Sequence, residues 1–468
     1  MSISSYEYLS ILQATQTAAQ QTQANGEPEY QTLLETTRSV IAQKHSAELS
    51  SALDSADASE TLKTLILKYC VQELAGSTFD HAALVERIYQ DMAGLGILTD
   101  YLHDPNVEEI NINGYNVIEV NYPDHIKYLY DNEAFQTPVT ALDIVKRMVR
   151  MGGMLLDAQT PRVDSYIGDG TRISAMIPPV VPQEHGVIAS IRKQSKSKIT
   201  RQQLLDTGSA SADMLDFPTL CLCNGISVGL AGGTGCGKTT DETYFLNEYI
   251  QKNEDYNNRV FIIEDTLELN PIVYDEENDR PARVLHTVTK DPPNPITMLD
   301  LIVSALRYHP ALIVPAEVRD AAAYQAANAG QTGHTILTSF HANSARDAYR
   351  RLVSMCHLAK TGLSDERLLE MCVSAWPIII FKKRLKDKTR KYMEIFEATG
   401  VENGMLRGQM LYQFVITQTE RDKRGRIVKV HGTHQKTGCI SPELHKRLRD
   451  NGASELELNR LFPEVKEK

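Results

Sequence analysis

The chain lacks a positive charge balance, a cysteine framework, a long apolar run and an aromatic-rich surface, and each absence excludes a class. The formal net charge is −11 and aromatic residues make up only 7% of the sequence. That argues against the basic groove and stacking platform of a nucleic-acid binder, and any such contact would need a local basic patch. The seven cysteines, at 70, 221, 223, 236, 356, 372 and 439, are scattered and odd in number. They fit a reducing compartment rather than a disulfide scaffold. Cys221-x-Cys223 has no second ligand pair, which argues against a metal site. No apolar run approaches the ~18 residues of a membrane span. The N-terminus lacks the charged-then-apolar layout of a signal peptide. The expected location is the cytoplasm, with work at a membrane surface still open.

What is present is a phosphate-binding pattern. Residues 226–243 read ISVGLAGGTGCGKTTDET, with Gly232, four residues, then Gly237, Lys238 and Thr239. Glycines at 233, 235 and 237 let the backbone turn tightly and aim N–H groups at an anion. The following helix adds its positive N-terminal end. Lys238 reaches outer phosphates and Thr239 offers a hydroxyl to Mg²⁺. The apolar run Ile226–Ala231 supplies the short buried strand that the pattern requires.

With 468 residues, 42% hydrophobic and 23% charged, the chain is ordinary globular material for about three domains. Residues 1–93 read as a helical, partly flexible N-terminal extension. Its first 60 residues are rich in Gln, Ala, Ser and Thr, and Gly26–Pro28 interrupts helix there. Leu62, Leu65, Leu67, Val71 and Leu74 mark one helix, Gly76–Ser77 a break, and Leu84, Ile88 and Met92 a second. Residues 94–193 read as an α+β domain. It has an Asn113–Gly114 hairpin, a helix with Ile144, Val145, Met148 and Val149 on one face, and a strand pair around Gly168–Asp169–Gly170. Residues 194–204 read as a polar, basic linker. Residues 205–400 alternate strand and helix, as a mostly parallel sheet of RecA-like type requires. Thr297 with Asp300 and Ser344 with Asp347 mark helix starts, and Gly330 reads as a helix stop. Residues 401–468 read as a C-terminal subdomain of short strands and helical pieces without chemistry.

Ligands of such a sheet sit at the carboxyl ends of its strands. Four candidates lie there: the phosphate loop, Glu264–Asp265, Glu317 and His341. Thr239 with a carboxylate, Asp265 or Glu317, can hold Mg²⁺, and a second carboxylate can orient water. Either glutamate alone also fits a capping or salt-bridging role. His341 fits a structural role as well as a phosphate sensor. Arg172 and Arg192 could reach phosphates if a cleft closed, or be solvated surface charge. The basic turn Lys382–Lys391 suits a nucleic acid, an anionic membrane or a membrane protein equally.

These residues carry a family resemblance. The chain resembles the ATPases shared by type II and type IV secretion systems and type IV pili, and is similar to the tight-adherence (Flp) pilus assembly ATPases among them. The likeness runs from about Gly94 to Gly400. GLGILTDYLHDPNVEEININGYNVIEV, VDSYIGDGTRISAMIPP and SIRK resemble the family's N-terminal domain. GGTGCGKTT looks like Walker A, IIEDTLEL like the Asp box, ALIVPAEVRD like an atypical Walker B, and TGHTILTSFHANSARDAYRRL like the His box. The resemblance implies a hexameric ATPase using ATP and Mg²⁺ and acting with an inner-membrane platform protein, without direct nucleic-acid contact. It makes Gly232, Gly233, Thr234, Gly235, Cys236, Gly237, Lys238, Thr239 and Thr240 the nucleotide loop. It makes Glu264 the group that activates water, Glu317 the acid near the metal, His334 and His341 the coupling pair, and Arg172 and Arg192 nucleotide contacts.

The sequence departs from the pattern at Cys236, Lys290, Pro315, Ala316, and above all at Asp241 and Glu242, two carboxylates just after the loop. They suit the first turn of a helix and also threaten phosphate binding. Three readings remain at this level. One is an active secretion or pilus motor, the second a nucleotide-binding scaffold with weak hydrolysis, and the third a helicase-like motor.

Overall fold

A computed structural model describes residues 27–45, 48, 56–73, 81–92, 94–123, 125–167, 171–193, 199–252, 258–275, 280–290 and 294–463. The chain divides into two compact units, Met1–Gln194 and Ser195–Lys468.

The first unit opens with helices α1 (Glu27–Lys44), α2 (Ala56–Glu73) and α3 (His81–Met92). Leu62, Ile66, Ile88 and Met92 join Leu34 and Ile41 in a small core of their own. Pro28 lies in the opening turn of α1, where its missing N–H costs nothing. The Gly76–Ser77 break lies outside the described residues. A short helix α4 (Leu98–His103) leads into strands β1 (Glu109–Ile112), β2 (Val117–Asn121) and β3 (Ile126–Tyr130). Then come α5 (Pro138–Met151), β4 (Arg162–Ile167), β5 (Thr171–Met176) and β6 (Ile188–Arg192). The six strands form one sheet in the order β3-β2-β1-β6-β5-β4. Gly114 takes φ 132° between β1 and β2, the conformation that a hairpin glycine supplies. α5 buries Ile144, Val145, Met148 and Val149 in the core under this sheet. The turn read at Gly168–Asp169–Gly170 lies outside the described residues, but β4 and β5 pair antiparallel across it.

The second unit begins with α6 (Arg201–Asp206), α7 (Ala212–Cys223), β7 (Val228–Gly232) and α8 (Lys238–Lys252). β8 (Val260–Glu264) follows, then the ribbon β9 (Tyr274–Asp275) and β10 (Arg280–Pro281), and β11 (Val284–Val288). Next are α9 (Met298–Ala305), β12 (Leu312–Pro315), α10 (Ala322–Gln331), β13 (Thr335–Phe340), α11 (Ala345–His357) and α12 (Asp365–Ala375). The chain ends with β14 (Ile378–Arg384), β15 (Arg390–Glu402), β16 (Met405–Arg421), β17 (Ile427–Lys436), α13 (Pro442–Asp450) and α14 (Glu455–Leu461).

Nine strands make one sheet, in the order β11-β8-β12-β13-β7-β14-β15-β16-β17. The first six are parallel and the last three antiparallel. The central strands are apolar throughout because both faces are covered. Ile262, Val314 and Ile380 face one core, while Phe261, Ile263, Ile313 and Ile379 face the other. That is the strand period of two. The capping boxes at Thr200/Gln203 and Thr297/Asp300 are both formed, and the Ser344 hydroxyl accepts the Asp347 N–H.

Two expectations change. Gly330 does not stop its helix: α10 continues to Gln331 and ends at Thr332. A glycine stands there because a Cβ would meet the Ala375 Cβ of α12 at 2.9 Å. The strands after residue 400 are not short pieces. β15 runs through 400 to Glu402, and β16 and β17 extend the same sheet.

Candidate nucleotide-binding site

β7 ends where the phosphate loop begins, and its neighbours β13 and β14 flank it on either side. Gly235 and Gly237 adopt φ 71° and 89°, which side-chain-bearing residues rarely hold. At Gly232 a Cβ would lie 2.6 Å from Cys236 Sγ and overlap the Lys382 carbonyl oxygen. Cys236 therefore points back under the loop, buried, and burial pushes its thiol up. Lys238, only 8% exposed, donates to the Gly232 and Gly233 carbonyls at 3.2 and 3.3 Å. Both carbonyls belong to the loop, so the ammonium is held where bound phosphate would sit. Thr234 and Thr240 are exposed at the mouth of the loop.

The acids gather on the β8–β12 side. Thr239, Glu264, Asp265, Thr266, Glu268, Glu317 and Arg319 line one cleft. Thr239 Oγ1 donates to Glu268 Oε2 at 3.3 Å. Thr289 donates to Asp265 at 3.1 Å. Glu317 follows β12 and bridges to Ser339 of β13. Arg319 donates to its Oε2 at 2.7 Å, and His341 Nε2 lies 3.0 Å from its Oε1. Burial alone would raise the Glu317 carboxyl. The Arg319 hydrogen bond and charge outweigh it, His341 adds to them, and the group falls below its usual range. Burial, and then the Lys238 ammonium, lower His341, so at neutral pH the imidazole is uncharged.

Glu264, expected to activate water, is already committed. It is 1% exposed. Its Oε1 accepts the Glu268 and Leu269 N–H groups at 2.9 and 3.0 Å, and its Oε2 is bonded to His286 Nε2. A carboxylate held by two amides and an imidazole shapes the turn after β8. The motif IIEDTLEL by itself does not single out Glu268, and nothing in the sequence marks His286 as the partner of Glu264. Glu268 lies four residues past Glu264, and one turn of chain returns it to Thr239.

His334 is not at the site within this chain. It precedes β13, whereas His341 follows it, and six strand residues separate their ends by about 20 Å. Arg172 and Arg192 belong to the first unit. They are Cα partners on β5 and β6, with Glu109 of β1 opposite Arg192. Arg192 therefore has a carboxylate as well as an arginine in register with it.

Asp241 and Glu242 do not face the phosphates; both are fully buried. Asp241 pairs with Lys382 of β14 at 2.7 Å. The turn Lys382–Lys391, read as a surface feature, folds against the loop. Arg390 Nε donates to the Gly235 carbonyl at 3.1 Å. Lys391 donates to the Thr207 and Gly208 carbonyls at 2.9 and 2.8 Å.

The donors fit Mg²⁺ with a nucleotide. They are hard oxygens of Thr239, Asp265, Glu268 and Glu317, and Mg²⁺ keeps waters and phosphate oxygens beside one or two carboxylates. Among the described residues no cluster of three or more His, Cys, Asp or Glu side chains forms a complete metal cage. Glu317 Oε1 is buried without an aligned hydrogen bond, which leaves a lone pair for a metal-bound water.

The sequence matches the family described as Type II/IV secretion system protein over residues 109–460. It is 31% identical to an uncharacterised protein of Methanocaldococcus jannaschii over 56% of this chain and 46% of that one. It is 24% identical to protein VirB11 of Agrobacterium fabrum over 60% of this chain and 86% of that one. The structure of the Legionella pneumophila ATPase DotB aligns with 63% of this chain and 78% of that one, at 18% identity and a TM-score of 0.43. The chain spans about half or less of the length of the first two curated relatives it matches. With three quarters of its length inside the family's match, the chain belongs to the type II/IV secretion system proteins.

Proposed function

We propose that the chain is an ATP-hydrolysing motor of a secretion or pilus-assembly apparatus. One observation carries the reading: the acids that follow β8 and β12 line one cleft with Thr239, the residue directly after the phosphate-loop Lys238, and Thr239 bonds Glu268 there. Lys238 and the loop amides hold the outer phosphates. Thr239 and Glu317 would hold Mg²⁺, which supplies charge neutralisation across the phosphates when bound. Asp265 flanks that position. Glu268 is the carboxylate placed to accept a proton from the attacking water, and Glu264 positions it through the Glu268 N–H. His341, uncharged and against Glu317, is suited to register phosphate charge by hydrogen bonding. His334, at the far end of β13, would act outside this chain's own cleft, and Arg172 and Arg192 would add cations from the first unit.

The family resemblance extends this to a homo-hexamer at the cytoplasmic face of the membrane, working with an inner-membrane platform protein, and to the tight-adherence branch. Among the described residues no helix is long and apolar enough to cross a membrane. The second reading, a nucleotide-binding scaffold, is favoured by the full engagement of Glu264. Phosphate release separates the two. The motor requires turnover that falls about 10²-fold or more in Lys238→Ala and Glu268→Gln, the scale of general-base loss. Wild-type turnover no higher than in Lys238→Ala leaves the scaffold.

A further inference from the structure

The β14–β15 hairpin is the feature that the proposed chemistry has not used. Its strands pair Lys382 with Tyr392, Lys383 with Lys391, and Arg384 with Arg390. Two arginines thus oppose each other in direct register, and of the two Arg390 already lies within reach of the Asp241 charge. Both reach the phosphate loop. Arg390 Nε bonds the Gly235 carbonyl, and its Cδ lies 3.5 Å from where a Gly237 Cβ would stand. Arg384 Nη1 lies 3.8 Å from the Gly235 Cβ position. The Arg384 guanidinium makes no hydrogen bond or ion pair among the described residues, and the residue is exposed.

The hairpin is braced in this place. Asp241 of α8 and Lys382 form a buried pair at 2.7 Å. Asp387 in the turn accepts the Thr389 N–H at 3.0 Å and the Val430 N–H of β17 at 2.7 Å. A free guanidinium is therefore presented beside the loop by a fixed element. The sheet order sets the flank of the loop from which it approaches. The acids that suit the metal lie on the β13–β12–β8 side of β7, and the hairpin lies on the β14 side. The loop runs between an acidic flank and a basic one.

We propose that Arg384 is a nucleotide-contacting residue that binds the inner phosphates of a nucleoside di- or triphosphate from the flank opposite the metal, with Arg390 and the Asp241–Lys382 pair positioning the hairpin against the loop. The proposal rests on the nucleotide reading of the site. Contacts to phosphates present in both substrate and product are uniform binding, so they change affinity and KM and leave kcat.

The test uses the full chain and fluorescently labelled adenosine tri- and diphosphates. Arg384→Ala should weaken both about tenfold, the scale of one charge-assisted hydrogen bond, with kcat at saturation within about twofold. Lys383→Ala removes the same charge one residue away on the opposite face of the strand, and should leave both affinities within about twofold. Unchanged affinities in Arg384→Ala would overturn the proposal. So would a loss confined to the triphosphate, or an equal loss in Lys383→Ala. If wild type bound neither probe, the nucleotide reading itself would fall, and this proposal with it.

Discussion

Glu242 sits three residues past Thr239, fully buried, with neither carboxylate oxygen hydrogen-bonded. The nearby Ser339 hydroxyl would favour the charged form, but it donates its one hydrogen to the Ala316 carbonyl at 2.7 Å. Burial pushes the Glu242 carboxyl well above the usual range, and Glu264 and then Glu317 push it further. The folded chain thus holds a proton that the unfolded chain releases near pH 4.5. Such a group costs no stability below that pH and costs more as pH rises toward its folded value. Glu242→Gln removes this cost. Thermal melts should show no gain near pH 4.5 and a rising gain through pH 8, of about 2 °C or more there. A gain independent of pH would show that the carboxyl is charged or solvated. From the sequence, Asp241 and Glu242 looked like one acidic pair threatening the phosphates. The structure separates their roles, because α8 turns one toward β14 and the other toward β12 and β13.

At the scale of elements, the hairpin and α8 are joined by Asp241 and Lys382. Burial pushes the Asp241 carboxyl up, and the Lys382 ammonium opposes that. Removing one partner of a buried pair strands the other charge, at about 3–5 kcal/mol. Lys382→Met should lower the urea midpoint accordingly, and Asp241→Leu with Lys382→Met should recover most of the loss. If the double variant is no better than the single one, the loss comes from packing rather than from the stranded charge. The strands β7, β8, β12, β13 and β14 were legible from their unbroken apolar runs, and the loop from its glycines. The brace was not legible, since Asp241 and Lys382 lie 141 residues apart and nothing local marks their pairing. Glu268 was hidden for a related reason. Its role depends on a turn that Glu264 holds by accepting two backbone amides, and a linear string of acids does not show which one the turn brings to Thr239. The misread Gly330 had a tertiary cause as well, the approach of α12.

At the scale of the molecule, the two compact units each own their cores, Val145 and Ile191 in one, Ile262 and Ile263 in the other. The second unit carries Lys238, Thr239, Glu268, Glu317, His341 and Arg384, the whole cleft and both of its flanks. A fragment of residues 195–468 should therefore unfold cooperatively on its own. It should bind labelled ATP within about threefold of the full chain, because ligand affinity follows the residues that touch the ligand. It lacks Arg172 and Arg192, which the family resemblance makes nucleotide contacts. If those arginines serve hydrolysis as an arginine finger does, removing them costs turnover far more than binding. Phosphate release by the fragment should fall about tenfold or more below the full chain at saturating ATP, and restoring Met1–Gln194 as a separate chain should not raise the fragment's affinity. Equal turnover in fragment and full chain would take both arginines out of the chemistry and leave the second unit as the complete ATPase.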